Sequence, residues 1–114
     1  MTHVYLSQKG SFTASHSHSG TLAEKSHVHR FTYEVTFYGP LNKEGYLLDF
    51  REVKKVLTKV ILPLKEKNLS TLFTNPTTET ICLWIYKEVS KHLPHLYSVK
   101  LAEAPDRWIT YKGD

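Results

Sequence analysis

Seven histidines stand among the 114 residues, and four of them fall between His16 and His29. His27 and His29 open the stretch H-V-H-R-F-T-Y-E-V-T-F-Y, His27 to Tyr38, which is rich in β-branched and aromatic residues and reads as a long strand. Alternation sets both imidazoles on one strand face, roughly 7 Å apart along the chain. His16 ends an earlier strand-like run, F-T-A-S-H, and a hairpin could bring it alongside the pair. Three neutral imidazoles suit a Zn2+ ion and leave one coordination position open to water or substrate, as in catalytic zinc sites. On spacing alone, such a pair is more often simply exposed, metal-free strand surface. His18 shares a strand face with His16 and could replace it. His3, His92 and His95 have no partner at ligand spacing and read as surface residues.

The elements that must position these groups follow from the periodicity. One face of the long strand carries His27, His29, Phe31, Tyr33, Val35 and Phe37, and the other carries Val28, Arg30, Thr32, Glu34, Thr36 and Tyr38. That period of two is the signature of a half-buried strand. Gly39-Pro40 ends it, and Asn42 to Gly45 supply a turn. Tyr46-Leu47-Leu48 then reads as a short return strand. Asp49 is a plausible cap for a helix from about Phe50, with Phe50, Val53, Leu57, Val60, Ile61 and Leu64 at helical spacing. Pro63 ends or kinks that helix. Asn75-Pro76 opens a second helix, with Asn as cap, Pro in the first helical position and Glu79 complementing the dipole. Ile81, Trp84, Ile85 and Val89 form its apolar stripe, and Pro94 stops it. Tyr97 to Glu103 and Trp108 to Lys112 read as strands joined by a turn at Ala104-Pro105-Asp106.

The order β-β-β-β-α-α-β-β, give or take the N-terminal pair, indicates an α+β fold in one domain spanning residues 1–114. Both helices would cover one face of the sheet, and its edges would need a partner subunit. Fifteen Lys and Arg against eleven Asp and Glu give a net charge of +4, with no polybasic run. That argues against nucleic acid as a partner and leaves an anionic small molecule open. A lone cysteine, Cys82, excludes an intrachain disulfide and points to a cytoplasmic setting. No apolar run is long enough to span a membrane, and Met1 to Gly10 lack the apolar core of a signal peptide.

Five segments in order resemble the 6-pyruvoyltetrahydropterin synthase and 6-carboxytetrahydropterin synthase family. F-T-A-S-H, Phe12 to His16, is similar to its F-x-A-A-H, and H-V-H to its H-G-H. G-Y-L-L-D-F, Gly45 to Phe50, is similar to G-x-x-x-D-F, and N-P-T-T-E, Asn75 to Glu79, to N-P-T-x-E. A-E-A-P, Ala102 to Pro105, is similar to the family's E-T-P segment. The resemblance implies a tunnelling fold: an antiparallel four-stranded sheet with two helices packed on one face. It implies Zn2+ on His16, His27 and His29, and Glu103 gripping the pterin, with Thr78 and Glu79 beside it. A carboxylate such as Glu103 could accept two N–H bonds from the 2-amino and N3 positions of the ring.

The resemblance further implies a homo-oligomer, commonly a hexamer of two trimers with interfacial active sites. The implied substrate is 7,8-dihydroneopterin triphosphate or a related dihydropterin, on a route to tetrahydrobiopterin or to queuosine. The departures fall on the acid/base groups. No cysteine precedes H-V-H, where the family carries its base. The family's L-D-H-x-x-L-N aligns with Leu64 to Ser70, L-K-E-K-N-L-S, so Lys65 and Glu66 replace Asp and His. Val28 replaces the glycine between the two ligands. Some branches use glutamate as the base, which makes Glu24 the candidate catalytic base and Glu66 a candidate for the second proton transfer. Three readings stay open: a zinc-dependent lyase, a binding paralogue without turnover, and an aldolase-type cleavage of the side chain.

Overall fold

A computed structural model describes residues 2–16 and 27–113. The order is β1 (His3–His16), β2 (His27–Pro40), α1 (Phe50–Ile61), a 3-10 turn (Leu69–Thr71), α2 (Thr78–Ser90), β3 (Leu96–Ala104) and β4 (Arg107–Tyr111). The strands form one antiparallel sheet in the order β1-β2-β3-β4. Both helices fall in the connection from β2 to β3, as expected of this α+β pattern. Among the described residues no helix is long and apolar enough to cross a membrane.

The core lies between the sheet and the helices. Phe31, Val35 and Phe37 of β2 are fully buried, as are Val99 and Leu101 of β3, and Phe12 and Ala14 of β1 nearly so. Val53, Leu57, Val60 and Ile61 of α1 and Ile81, Cys82, Ile85 and Val89 of α2 pack against them. The odd-numbered positions of β2 therefore face the helices, as the alternation predicts. Trp84 is only partly buried, and Phe50, at the start of α1, stays exposed. Phe50 instead lines a surface cavity of about 270 Å³ together with Tyr5, Leu6 and Tyr46.

Two local expectations are corrected. Tyr46-Leu47-Leu48 is not a strand but part of a turn-rich link. The Asn42 side chain accepts from the backbone N–H of Glu44 and of Tyr46, both at 3.0 Å, and Gly45 takes φ +91°. Those bonds curl the chain where a strand would have to extend it. The sheet therefore has two strands before the helices. The second helix is capped by Thr77, two residues after the expected Asn75. The Thr77 hydroxyl accepts from Thr80 N–H at 3.1 Å, so Asn75-Pro76 precedes the helix instead of opening it. Asp49 caps α1 as expected, accepting from Arg51 N–H at 2.8 Å. The guanidinium and N–H bonds from Arg51 hold the Asp49 carboxyl below its ordinary pKa.

Candidate functional site

The register of β1 and β2 fixes where the three ligand candidates sit. Their ladder is continuous from His3↔Pro40 to His16↔His27, with Ala14 opposite His29 and Phe12 opposite Phe31. Directly opposed positions share a sheet face. Positions 16, 27 and 29 therefore continue the helix-facing row Phe12, Ala14 and Phe31 toward the end of the hairpin at which the chain passes from β1 to β2. The pairing of β2 with β3 runs only from Thr32 to Phe37, so this end extends past β3 as a two-stranded ribbon.

A second segment braces the ribbon. Glu66 N–H donates to Thr13 O at 2.6 Å, Ser15 N–H donates to Lys67 O at 3.0 Å, and Ser15 bridges to Asn68. Glu66 takes the left-handed φ of 58° that this docking requires, an uncommon conformation for a residue with a side chain. Leu69, fully buried, anchors the 3-10 turn that follows. Glu66 is thus brought next to β1, three residues before His16, with an exposed side chain. It does not line the cavity that holds the other carboxylates.

Glu103 arrives from β3. The register shifts between Ala102, opposite Trp108, and Ala104, opposite Arg107, which makes Glu103 the extra residue of a bulge. Bulges bend a strand and re-aim one side chain. Here Glu103 Oε2 comes to 3.8 Å from His29 Nε2, with both side chains about three-quarters covered (24% and 22% exposed). Glu103 also lines a cavity of about 170 Å³ with Thr78, Glu79, Arg107, Trp108 and Ile109. Thr78 and Glu79 come from the first turn of α2, whose free N–H groups add positive potential there.

The structure therefore brings together Glu103, Thr78 and Glu79, and brings Glu103 to His29. The side chains of His16 and His27 lie outside the described residues, as do Glu24 and His18 altogether. Among the described residues no three His, Cys, Asp or Glu side chains form a metal-holding group. The donors that remain fit zinc in kind: imidazole at three clustered ladder positions, and a carboxylate beside one of them.

Sequence reasoning missed Arg107 and Trp108. They enter the cavity because the tight β3–β4 turn folds them back beside Glu103, and only their nearness to A-E-A-P could have signalled it. Cys82 is ruled out as a substitute base. It lies in the core, its thiol donates to Val99 O at 3.4 Å, and burial pushes its pKa up to about 11. His3, His92 and His95 are exposed, as expected.

Residues 5–114 match the family model described as 6-pyruvoyl tetrahydropterin synthase. The chain is 41% identical over 86 residues to a dihydroneopterin monophosphate aldolase of Pyrococcus furiosus, covering 75% of each chain. Its fold is similar to that of Caenorhabditis elegans 6-pyruvoyl tetrahydropterin synthase, with TM-score 0.89 and 21% identity over 100% of this chain and 98% of that one. A Plasmodium vivax 6-pyruvoyltetrahydropterin synthase variant with a catalytic glutamate replaced by alanine is also similar, with TM-score 0.86 and 15% identity. There the match covers 100% of this chain and 99% of the other.

Proposed function

The chain belongs to the 6-pyruvoyl tetrahydropterin synthase family, whose members are lyase-type enzymes of pterin biosynthesis, and from that premise we propose a zinc-dependent cleavage of a dihydropterin side chain. The substrate class is a phosphorylated 7,8-dihydroneopterin. The observation that carries this reading is the convergence at one end of the sheet. His29, two residues along β2 from the paired positions 16 and 27, comes to Glu103, and Glu103 shares a cavity with Thr78 and Glu79. His16, His27 and His29 would hold the zinc, which supplies Lewis acidity to the substrate's side-chain oxygens when bound.

The chain's own residues divide the remaining work. Carboxylates in the cavity accept the ring's 2-amino and N3 protons and fix its plane. Glu24 takes the proton of the hydroxyl on the second side-chain carbon. The bond between the first and second carbons breaks, and its electron pair moves into the ring imine. The second carbon leaves as an aldehyde bearing the phosphate, and a proton returns to the first. The similarity to the Pyrococcus aldolase supports this cleavage over triphosphate elimination. So does the loss of the Asp-His pair in the stretch Leu64 to Ser70. A catalytic glutamate in the Plasmodium relative supports a carboxylate base.

We assign a homo-oligomer with interfacial sites and a cytoplasmic location, which the lone cysteine fits. The test is incubation of zinc-loaded protein with 7,8-dihydroneopterin monophosphate and triphosphate. The expected products are a 6-hydroxymethyl dihydropterin and a two-carbon aldehyde phosphate. Glu24→Gln should lower the rate at least ~100-fold, the ordinary reach of a general base, while keeping its zinc. Release of inorganic triphosphate would favour the synthase reaction. Tight binding without product would identify a non-catalytic paralogue.

A further inference from the structure

The sheet face turned away from the helices carries hydroxyl, aromatic and cationic side chains. Opposed ladder positions set Lys9, Glu34, Lys100 and Thr110 in one row across all four strands. Arg30 shares this face by the alternation of β2. Lys112, just beyond β4, reaches it as well, with its ammonium 5.3 Å from the centroid of the Tyr97 ring, which packs on Tyr5 and Tyr38. Among the described residues, this face sets those four cations against one strand carboxylate, Glu34. Glu103, at the bulge, turns its carboxylate to His29 instead.

One carboxylate cannot neutralise two ammonium groups. Lys9 Nζ stands 3.7 Å from Glu34 Oε2 and Lys100 Nζ 3.9 Å from Glu34 Oε1, beyond hydrogen-bond reach in both cases. With Trp108 and Thr110 these three side chains line a cavity of about 340 Å³. A second cavity, lined by Arg30 and Thr32, meets it at Trp108. Ammonium is a compact point charge that suits tetrahedral phosphate, and it lacks the planar fork that pairs a carboxylate. To draw both lysines from Glu34 a ligand needs more than one negative charge. We propose that the row Lys9, Glu34 and Lys100 binds a small phosphate anion carrying two or more negative charges, on the sheet face opposite the one that bears the histidine positions. The Thr110 hydroxyl is a further donor, and the Trp108 ring walls the site. Glu34 spaces the two lysines and competes with the ligand for them. The zinc reading above is not needed for this site.

The experiment is a calorimetric titration of the full chain with inorganic tripolyphosphate at low ionic strength. The site variants are Lys9→Gln with Lys100→Gln, and Glu34→Gln. The controls lie on α1, across the sheet: Lys54→Gln with Lys59→Gln, and Glu52→Gln, all exposed positions. The parent should bind with a dissociation constant below ~1 mM. Added salt should weaken that binding, because both lysines are open to solvent. Loss of both site lysines should weaken it ~10-fold, each exposed ion pair contributing a few-fold. Glu34→Gln should tighten it by about threefold, because a competing charge is gone. The controls make the same charge changes outside the site and should match the parent within about twofold. A parent that binds no tripolyphosphate would overturn the proposal. So would equal losses in the two double-lysine variants, or a Glu34→Gln chain that binds no more tightly than Glu52→Gln.

Discussion

At the scale of single residues, the site separates groups by what surrounds them. Cys82, the chain's one thiol, is enclosed by the core and held protonated. Two consequences follow. Folded protein at pH 8 should resist a water-soluble thiol reagent and react fully only on unfolding. Stability should also fall as pH rises from about 9 toward about 11, because over that range the unfolded chain has lost the thiol proton and the folded one retains it. Cys82→Ala should flatten this slope in denaturant titrations, and an unchanged slope would refute the assignment. Glu79 is exposed at the start of α2 and lines the cavity. Glu79→Gln removes a charged acceptor, which is worth ~1.5–3 kcal/mol when it receives hydrogen bonds. Pterin affinity should drop by roughly tenfold or more in a calorimetric titration, with folding intact.

At the scale of elements, the ribbon that carries the histidine positions is narrower than the sheet behind it. β3 pairs with β2 only as far as Thr32, and beyond that point the brace from residues 66–68 replaces a third strand. Leu69 holds that brace in the core. Leu69→Ala should cost ~2–5 kcal/mol as a buried large-to-small change, and hydrogen exchange should rise most at the amides of Glu66 and Ser15, which donate across the brace. Uniform exchange across the sheet would show that the brace is not local. Thr77→Ala should cost ~1 kcal/mol through the lost cap, measured by thermal unfolding. The corresponding Asn75→Ala should not remove a cap, because the helix starts after it. Asn75 and Thr77 are both capping-type residues, and the structure uses Thr77.

At the scale of the molecule, the sheet has two edge strands, β1, which residues 66–68 cover at Thr13 and Ser15, and β4. Its face away from the helices carries Tyr5, Tyr38 and Tyr97 in mutual ring contact, with Tyr5 61% and Tyr38 40% exposed. Long unpaired edges and exposed aromatics are managed in nature by pairing with further copies. The proposed homo-oligomer should sediment with a mass above that of one chain. A monomer at all concentrations would remove interfacial sites from the proposal.

The alternation of β2, the capped amphipathic α1 and the placing of two helices ahead of the last two strands were legible in the chain, because burial on one face leaves a period in the residues. The histidine positions were legible for the same reason: they continue the period of the core row past the point where helices cover it. The return strand at Tyr46–Leu48 was misread because alternating apolar residues cannot reveal that Asn42 ties up the backbone first. What tertiary structure alone decided is the meeting of Glu103 with His29, and of Glu103 with the start of α2. Those contacts depend on strand register and on a one-residue bulge, and neither leaves a local trace in the residues that it brings together.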